Sequence, residues 1–269
     1  MLTLTTDLGY RDPYLAIVKA SLLIKNQALQ VIDLSCQIKN NNLSEAAFIL
    51  KHALPHFPDN TIHLVAVKFL QDGSSLNKAQ GIDNSRFLLT RYKNQYILCP
   101  DNGLFTLIDT HFNETVYQLY YDENKQHFFL KDVFVDAAIH LLAGKPLQDI
   151  AVETEDYYKA AQFESYLSGA VLRGKAIYID DFGNIITNIS RSKFEELVGK
   201  KAFTITLPGV RLTKIHSTYD DVKPGAPLVL FNSFDHLEVA MNGASAYKML
   251  CKKDAASGID FTILIEIHD

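Results

Sequence analysis

Two short stretches group side chains able to hold a small polar ligand. The first is Asp7, directly after the alternating Leu-Thr run Leu2–Thr6 and two residues before Gly9. A carboxylate at the end of a strand can accept both hydroxyl protons of a ribose, and a glycine beside it lets backbone approach the ligand. The plainer alternative is that Asp7 caps the helix that follows it. The second stretch is Asp180-Asp181-Phe182-Gly183-Asn184, with two carboxylates, a ring, a flexible glycine and a side-chain amide. Such a set suits a nucleoside through polar contacts and stacking, although Asp-rich turns are also common as plain structure. A third stretch, Pro100-Asp101-Asn102-Gly103, reads by its Asn-Gly pair as a tight turn.

Other chemistries find no support. The nine histidines show no H-E-x-x-H or comparable ligand spacing, so a metal site is not expected. No G-x-S-x-G, Walker or G-x-G-x-x-G pattern is present, which leaves serine hydrolase, P-loop and dinucleotide-binding readings without a basis. Cys36, Cys99 and Cys251 are far apart and odd in number, and read as small buried hydrophobes rather than a disulfide framework. The net charge is −5 with lysines and arginines scattered, which argues against a nucleic-acid partner. The absence of a long apolar run argues against a membrane span, and the absence of a leader-like N-terminus leads to a cytoplasmic expectation.

At 269 residues the chain can form one large domain or two ordinary ones. Strand-like Leu2–Thr6, Val31–Leu34 and Thr61–Val67 alternate with helical spacing over Tyr14–Ile24 and in a second helix capped by Asn42 with Glu45. That order predicts an α/β N-terminal domain, mainly parallel in its sheet, with helices on both faces. A hairpin is expected around Lys93-Asn94, and a helix over Val133–Leu142. From about residue 169 short strand candidates alternate with Pro-Gly turns, the texture of an antiparallel barrel or sandwich. The expected division is 1–152, a linker over 153–168, and 169–269.

Taken in order, these segments resemble the family that attacks S-adenosylmethionine (SAM) at the ribose C5′: the SAM hydroxide adenosyltransferases together with the fluorinase and chlorinase enzymes. The likeness is carried by Leu4-Thr5-Thr6-Asp7-Leu8-Gly9 with Asp12 and Tyr14, His63-Leu64-Val65, Pro100-Asp101-Asn102-Gly103-Leu104 and Asp132-Val133-Phe134. It continues through Asp180 with Phe182-Gly183-Asn184, Thr187-Asn188-Ile189, Asn232-Ser233 and Asn242. The resemblance implies an N-terminal α/β domain, a C-terminal antiparallel β-barrel, a homotrimer with adenosyl pockets between neighbouring subunits, and no cofactor beyond SAM as substrate or ligand. It implies that Asp7 grips the ribose diol and that Asp12 and Asp180 accept from the methionine end. Asn184 and Ser233 would supply an amide and a hydroxyl there, Phe182 would wall the adenine, and Tyr14 belongs to the ligand-binding set.

The departures concern the reaction. Where the hydrolases activate water with an Asp, Arg and His set, this chain presents Lys68, Ser75 and Phe129. It does not match the halogenases there either, and Asn41, Phe234 and Met241 stand where the fluorinase has an aromatic ring and two arginines. An ammonium about 4 Å from a sulfonium costs about 1 kcal/mol in water and about 4 at an effective dielectric of 20. Lys68 therefore has to face solvent, lose its proton, or pair with Asp72 or an anion. The leading expectation is an adenosyl-binding protein of the family with weak or lost hydrolysis. One alternative is an active adenosyltransferase using Lys68, Asp72 or Asp132 in a new role, and another is a structural or interaction protein whose pocket has decayed.

Overall fold

A computed structural model of the chain describes residues 1–68, 83–122, 128–251 and 261–268, with the side chains of 83–85 left aside. Two compact units divide it, Met1–Gln162 and Phe163–Asp269.

The first unit is built on a seven-stranded sheet of order β2-β1-β3-β5-β4-β6-β7. Its strands are β1 (Leu2–Thr6), β2 (Val31–Ser35), β3 (Ile62–Ala66), β4 (Asp83–Tyr92), β5 (Gln95–Asp101), β6 (Val116–Leu119) and β7 (Ala151–Thr154). Pairing is parallel from β2 through β1 and β3 to β5, and antiparallel from β5 through β4 and β6 to β7. β1 and β3 are buried at every position, as strands covered on both faces must be. One face packs on α1 (Tyr14–Lys25) through Leu15, Val18 and Leu22 and on α4 (Val135–Leu142). The other packs on α2 (Leu43–Ala53) and on the short α3 (Leu104–Ile108).

Local signals account for much of this. Asn42 caps α2, its Oδ1 accepting from Glu45 N at 3.2 Å while its Nδ2 donates to the Glu45 carboxylate at 2.8 Å. Lys93 and Asn94 take φ of 46° and 62°, the left-handed pair that closes a two-residue hairpin between β4 and β5. Pro100-Asp101-Asn102-Gly103 turns the chain at the end of β5 as expected: Asn102 N donates to Pro100 O at 2.8 Å, and Gly103, at φ 88°, starts α3. A Cβ on Gly103 would lie 2.7 Å from Ala160 Cβ, so close approach of the 158–160 segment demands glycine there. Cys251 is only half-buried, while Cys36 and Cys99 are buried as expected. The helix expected over Val133–Leu142 is preceded by a π-helical turn at Leu130–Phe134.

The second unit is an antiparallel sheet of order β12-β11-β15-β9-β10-β14-β13, with β8 beside β9. Its strands are β8 (Tyr166–Ser168), β9 (Val171–Ile179), β10 (Ile185–Ser190), β11 (Ala202–Leu207), β12 (Val210–Leu212), β13 (Pro227–Phe231), β14 (His236–Met241) and β15 (Thr262–His268). Just beyond β12, His216 bridges to Leu230 of β13, so the two ends of the order approach and nearly close a barrel. Its core includes Ile185, Ile189, Ile205, Val229, Val239, Ile263 and Ile265, with α5 (Arg191–Leu197) contributing Phe194 and α6 (Ala246–Leu250) contributing Ala246. Among the described residues, no helix is long and apolar enough to cross a membrane, and no group of three or more metal-ligating side chains occurs.

One buried polar chain ties the parallel strands together. Gln95 Nε2 donates to the carbonyls of Leu54 and Phe57, at 3.0 and 2.9 Å, so its Oε1 is left to accept from His63 Nε2 at 2.8 Å. That fixes the neutral tautomer of His63, whose Nδ1 then accepts from Thr3 Oγ1 at 2.7 Å. Burial pushes the His63 imidazole down to about 4. A buried neutral histidine must charge in the unfolded chain first, so its contribution is complete above about pH 6.5 and is lost as pH falls toward 4. The expected loss over that window is ~3 kcal/mol, read from denaturant midpoints against pH; in His63→Gln this part of the slope should vanish.

Candidate adenosyl site

The site begins at the carboxyl end of β1. The chain leaves β1 through α1 to β2 on one side and returns through α2 to β3 on the other, so the connections diverge between β1 and β3. A crevice forms at such a switch point, beyond the strands' carboxyl ends. Asp7 stands there, directly after β1, and does not cap α1, whose start at Pro13 has no side-chain cap.

Instead the Asp7 Oδ2 accepts two backbone N–H groups, from Asn41 at 3.0 Å and from Lys68 at 3.1 Å. Both donors are non-glycine residues in the left-handed region, with φ of 62° and 57°. Each carries a conformational cost of roughly 1–2 kcal/mol, which the charge-assisted bonds offset. The loop carrying Asn41 is further tied by Gly9 N donating to Cys36 O at 2.9 Å and Ile38 N to Thr6 O at 3.3 Å, and the end of β3 by Asp7 N donating to Ala66 O at 3.4 Å. Among the described residues the second carboxylate oxygen, Oδ1, accepts no hydrogen bond, and the side chain is only half-buried. A carboxylate anchored through one oxygen and open at the other is suited to a pair of ligand hydroxyls.

The neighbouring residues sort clearly. Asp12 is exposed on the approach to α1, and Tyr14, half exposed at the helix start, meets Phe128 edge-on at 5.7 Å. Lys68 is half-buried and joins Asp7 through its backbone. Phe129 packs on Phe87 at 4.7 Å and on Tyr121 at 5.8 Å, among the aromatic rings that back the α1 and α4 face. Asp132 accepts from Phe128 N at 2.8 Å and pairs with Lys131. Ser75 and Asp72 lie outside the described residues.

In the second unit the Asp180–Asn184 loop closes on itself. Asp180 Oδ1 accepts from Asn184 N at 2.8 Å and Oδ2 from Asn184 Nδ2 at 2.9 Å. Phe182 at the loop tip is 81% exposed, and Ser233 is exposed beside Asn232. Sequence reasoning missed the group next to this loop. Glu238, 3% exposed on β14, accepts from Tyr219 Oη at 2.8 Å and Asn232 Nδ2 at 3.2 Å. Burial raises the Glu238 carboxyl, with the nearby Asp180 charge acting in the same direction. Burial likewise raises the Tyr219 phenol, helped by its bond to Glu238. The available signal was a carboxylate among the apolar residues of β14.

Gly183, at φ 83°, holds the loop against α6. A Cβ there would stand 2.0 Å from Ser245 Oγ and 2.7 Å from Ser245 Cβ. Ser245 cannot yield freely, because its hydroxyl caps α6 by accepting from Lys248 N at 3.2 Å. Gly183→Ala should therefore cost at least ~1–2 kcal/mol, from the left-handed backbone alone, and lower the midpoint of thermal unfolding. An unchanged midpoint would contradict this packing.

Comparison with known proteins agrees with this architecture. The chain matches the SAM hydroxide adenosyltransferase N-terminal domain over residues 2–151 and the corresponding C-terminal domain over residues 174–255. A (R)-S-adenosyl-L-methionine hydrolase from Thermus thermophilus is 28% identical, the match covering 93% of this chain and 94% of the relative. The like-named protein from Methanocaldococcus jannaschii is 24% identical over 93% of this chain and 91% of its own length. The crystal structure of an uncharacterized conserved protein from Thermotoga maritima superposes with a TM-score of 0.81 at 25% identity, covering 98% of this chain and 99% of that one. With both domain models matched in order over most of its length, on a mixed-sheet α/β unit followed by a nearly closed antiparallel barrel, the chain belongs to the SAM hydroxide adenosyltransferase family.

Proposed function

We propose that this protein binds an adenosyl compound with Asp7 on the ribose diol, and that its hydrolysis of SAM to adenosine and methionine is weak or lost. The observation that carries the binding half is the Asp7 carboxylate, anchored through Oδ2 by two backbone N–H groups and, among the described residues, open at Oδ1. What supports the second half is chemical. No group of the Asp, Arg and His set expected of a hydrolase stands at Lys68, Ser75 or Phe129, and the Phe129 ring is committed to packing on Phe87. A phenylalanine can neither donate nor accept a proton, so water activation of that kind is not available from this position.

A second reading keeps an active adenosyltransferase in which Lys68 acts as base or holds an anionic nucleophile. The observation in its favour is that the Lys68 backbone is bonded directly to the Asp7 carboxylate, which starts its side chain at the site. The subunit arrangement proposed along with either reading is a homotrimer, checked by light scattering.

Calorimetric titration with adenosine and with SAM, each sulfonium epimer separately, tests both halves, followed by chromatography for adenosine and methionine. The expected result is stoichiometric adenosine binding that is strongly weakened in Asp7→Ala, with little or no release of products. An adenosine affinity left unchanged by Asp7→Ala removes the pocket assignment. Multiple turnovers in the wild type overturn the loss of hydrolysis, and their disappearance in Lys68→Ala, with adenosine still bound, would assign Lys68 to the chemistry.

A further inference from the structure

The peptide between Val67 and Lys68 is bonded at both of its polar ends. Its N–H, on Lys68, donates to Asp7 Oδ2 at 3.1 Å. Its carbonyl, on Val67, accepts from Asn102 Nδ2 at 3.0 Å. One buried side-chain amide thus grips the peptide unit that anchors the Asp7 carboxylate, in the order Asn102 amide, Val67–Lys68 peptide, Asp7.

We infer that Asn102 is a positioning residue for the diol-binding carboxylate, acting through the Val67–Lys68 peptide rather than by touching the ligand. The inference rests on the reading of Asp7 as the ribose site. Three features support it. The Asn102 side chain is 1% exposed, and its orientation is fixed: Oδ1 accepts from Leu104 N at 3.2 Å, so a flipped amide would set donor against donor there and oxygen against the Val67 carbonyl. The peptide it holds leads into Lys68 at φ 57°, where a non-glycine residue does not rest unaided, so an external bond has something to stabilise. A hydrogen bond accepted by a peptide carbonyl also strengthens the N–H of the same peptide as a donor, which ties the Asn102 amide electrically to Asp7.

The surroundings hold Asn102 at this point. Its own N–H donates to Pro100 O at 2.8 Å. The adjacent Asp101, 1% exposed, accepts from Tyr158 N at 2.8 Å through Oδ1 and stands 3.6 Å from Arg86 Nη1 through Oδ2. Gly103 follows, in the conformation and close contact with Ala160 that only glycine tolerates. The Asp-Asn-Gly run thereby links the end of β5 to the end of β3 and, through one peptide, to the end of β1.

A merely structural strut and a positioning residue differ in one readout, discrimination between adenosine and 2′,3′-dideoxyadenosine. Asn102→Asp is the first variant, since it is nearly isosteric and keeps the acceptor for Leu104 N but loses the donor to Val67. Asn102→Ala is the second. The expected result for either folded variant is a roughly tenfold loss of adenosine affinity, the scale of one buried hydrogen bond, with dideoxyadenosine affinity unchanged. In an Asp7→Ala background the same substitution should then have no further effect on adenosine. Wild-type discrimination retained in full by both variants, whatever their unfolding midpoint, overturns the inference. If the wild type itself binds both nucleosides equally, the Asp7 reading fails instead.

Discussion

The geometry of the site depends on one carboxylate oxygen taking two backbone N–H groups. Asp7 Oδ2 draws together a loop from the end of β2, through Asn41, and one from the end of β3, through Lys68. Neither donor residue has a glycine's freedom, yet both sit in the left-handed region. Such conformations persist where surrounding structure over-determines them, and they gather at ligand clamps. Here Asp7 is one of the over-determining contacts, with Asn102 holding the Val67–Lys68 peptide from its other end. The carboxylate thus organises backbone as well as being the group proposed to meet a ligand. The position is set in turn by the sheet: β1 lies between β2 and β3, and the buried Thr3, His63 and Gln95 chain locks the parallel strands below the crevice.

The second unit treats its polar groups differently. Both Asp180 oxygens are bonded to Asn184, and the Glu238 carboxylate is held by Tyr219 and Asn232. The internal bonds fix the directions of these carboxylates, while each oxygen keeps room for a further hydrogen bond. Phe182 contrasts with them, 81% exposed at the tip of an otherwise tightly bonded loop. A large ring left outside such a loop contributes little to the stability of the unit.

The alternating architecture was legible because periodicity and capping speak directly. Asn42 with Glu45, the Lys93-Asn94 turn and the apolar face of α1 each carry a local physical signature. Asp7 stood out because ligands bind beyond the carboxyl ends of strands in α/β sheets, although a helix cap was an equal alternative, and the Asp180 loop gained weight over a plain Asp-rich turn only through the family resemblance. What stayed hidden was long-range: the Asn-Gly pair announces a turn, but not that Gly103 lies against the 158–160 segment, more than fifty residues away in sequence. Asn41 and Lys68 as backbone donors, and Tyr219 as partner of Glu238, leave no trace in spacing, because a main-chain N–H is the same at every residue but proline. The resemblance to the adenosyltransferases brought the right family, whereas the fate of the Lys68, Ser75 and Phe129 positions is a question of chemistry that pattern alone does not answer.

The central claim is that the open side of the Asp7 carboxylate faces a ribose diol. The most direct measurement is a crystal structure of the protein with adenosine bound. The account predicts both diol oxygens within hydrogen-bond distance of the Asp7 carboxylate, with Oδ2 still accepting from Asn41 and Lys68. Adenosine bound elsewhere, or bound with its diol turned away from Asp7, would contradict it.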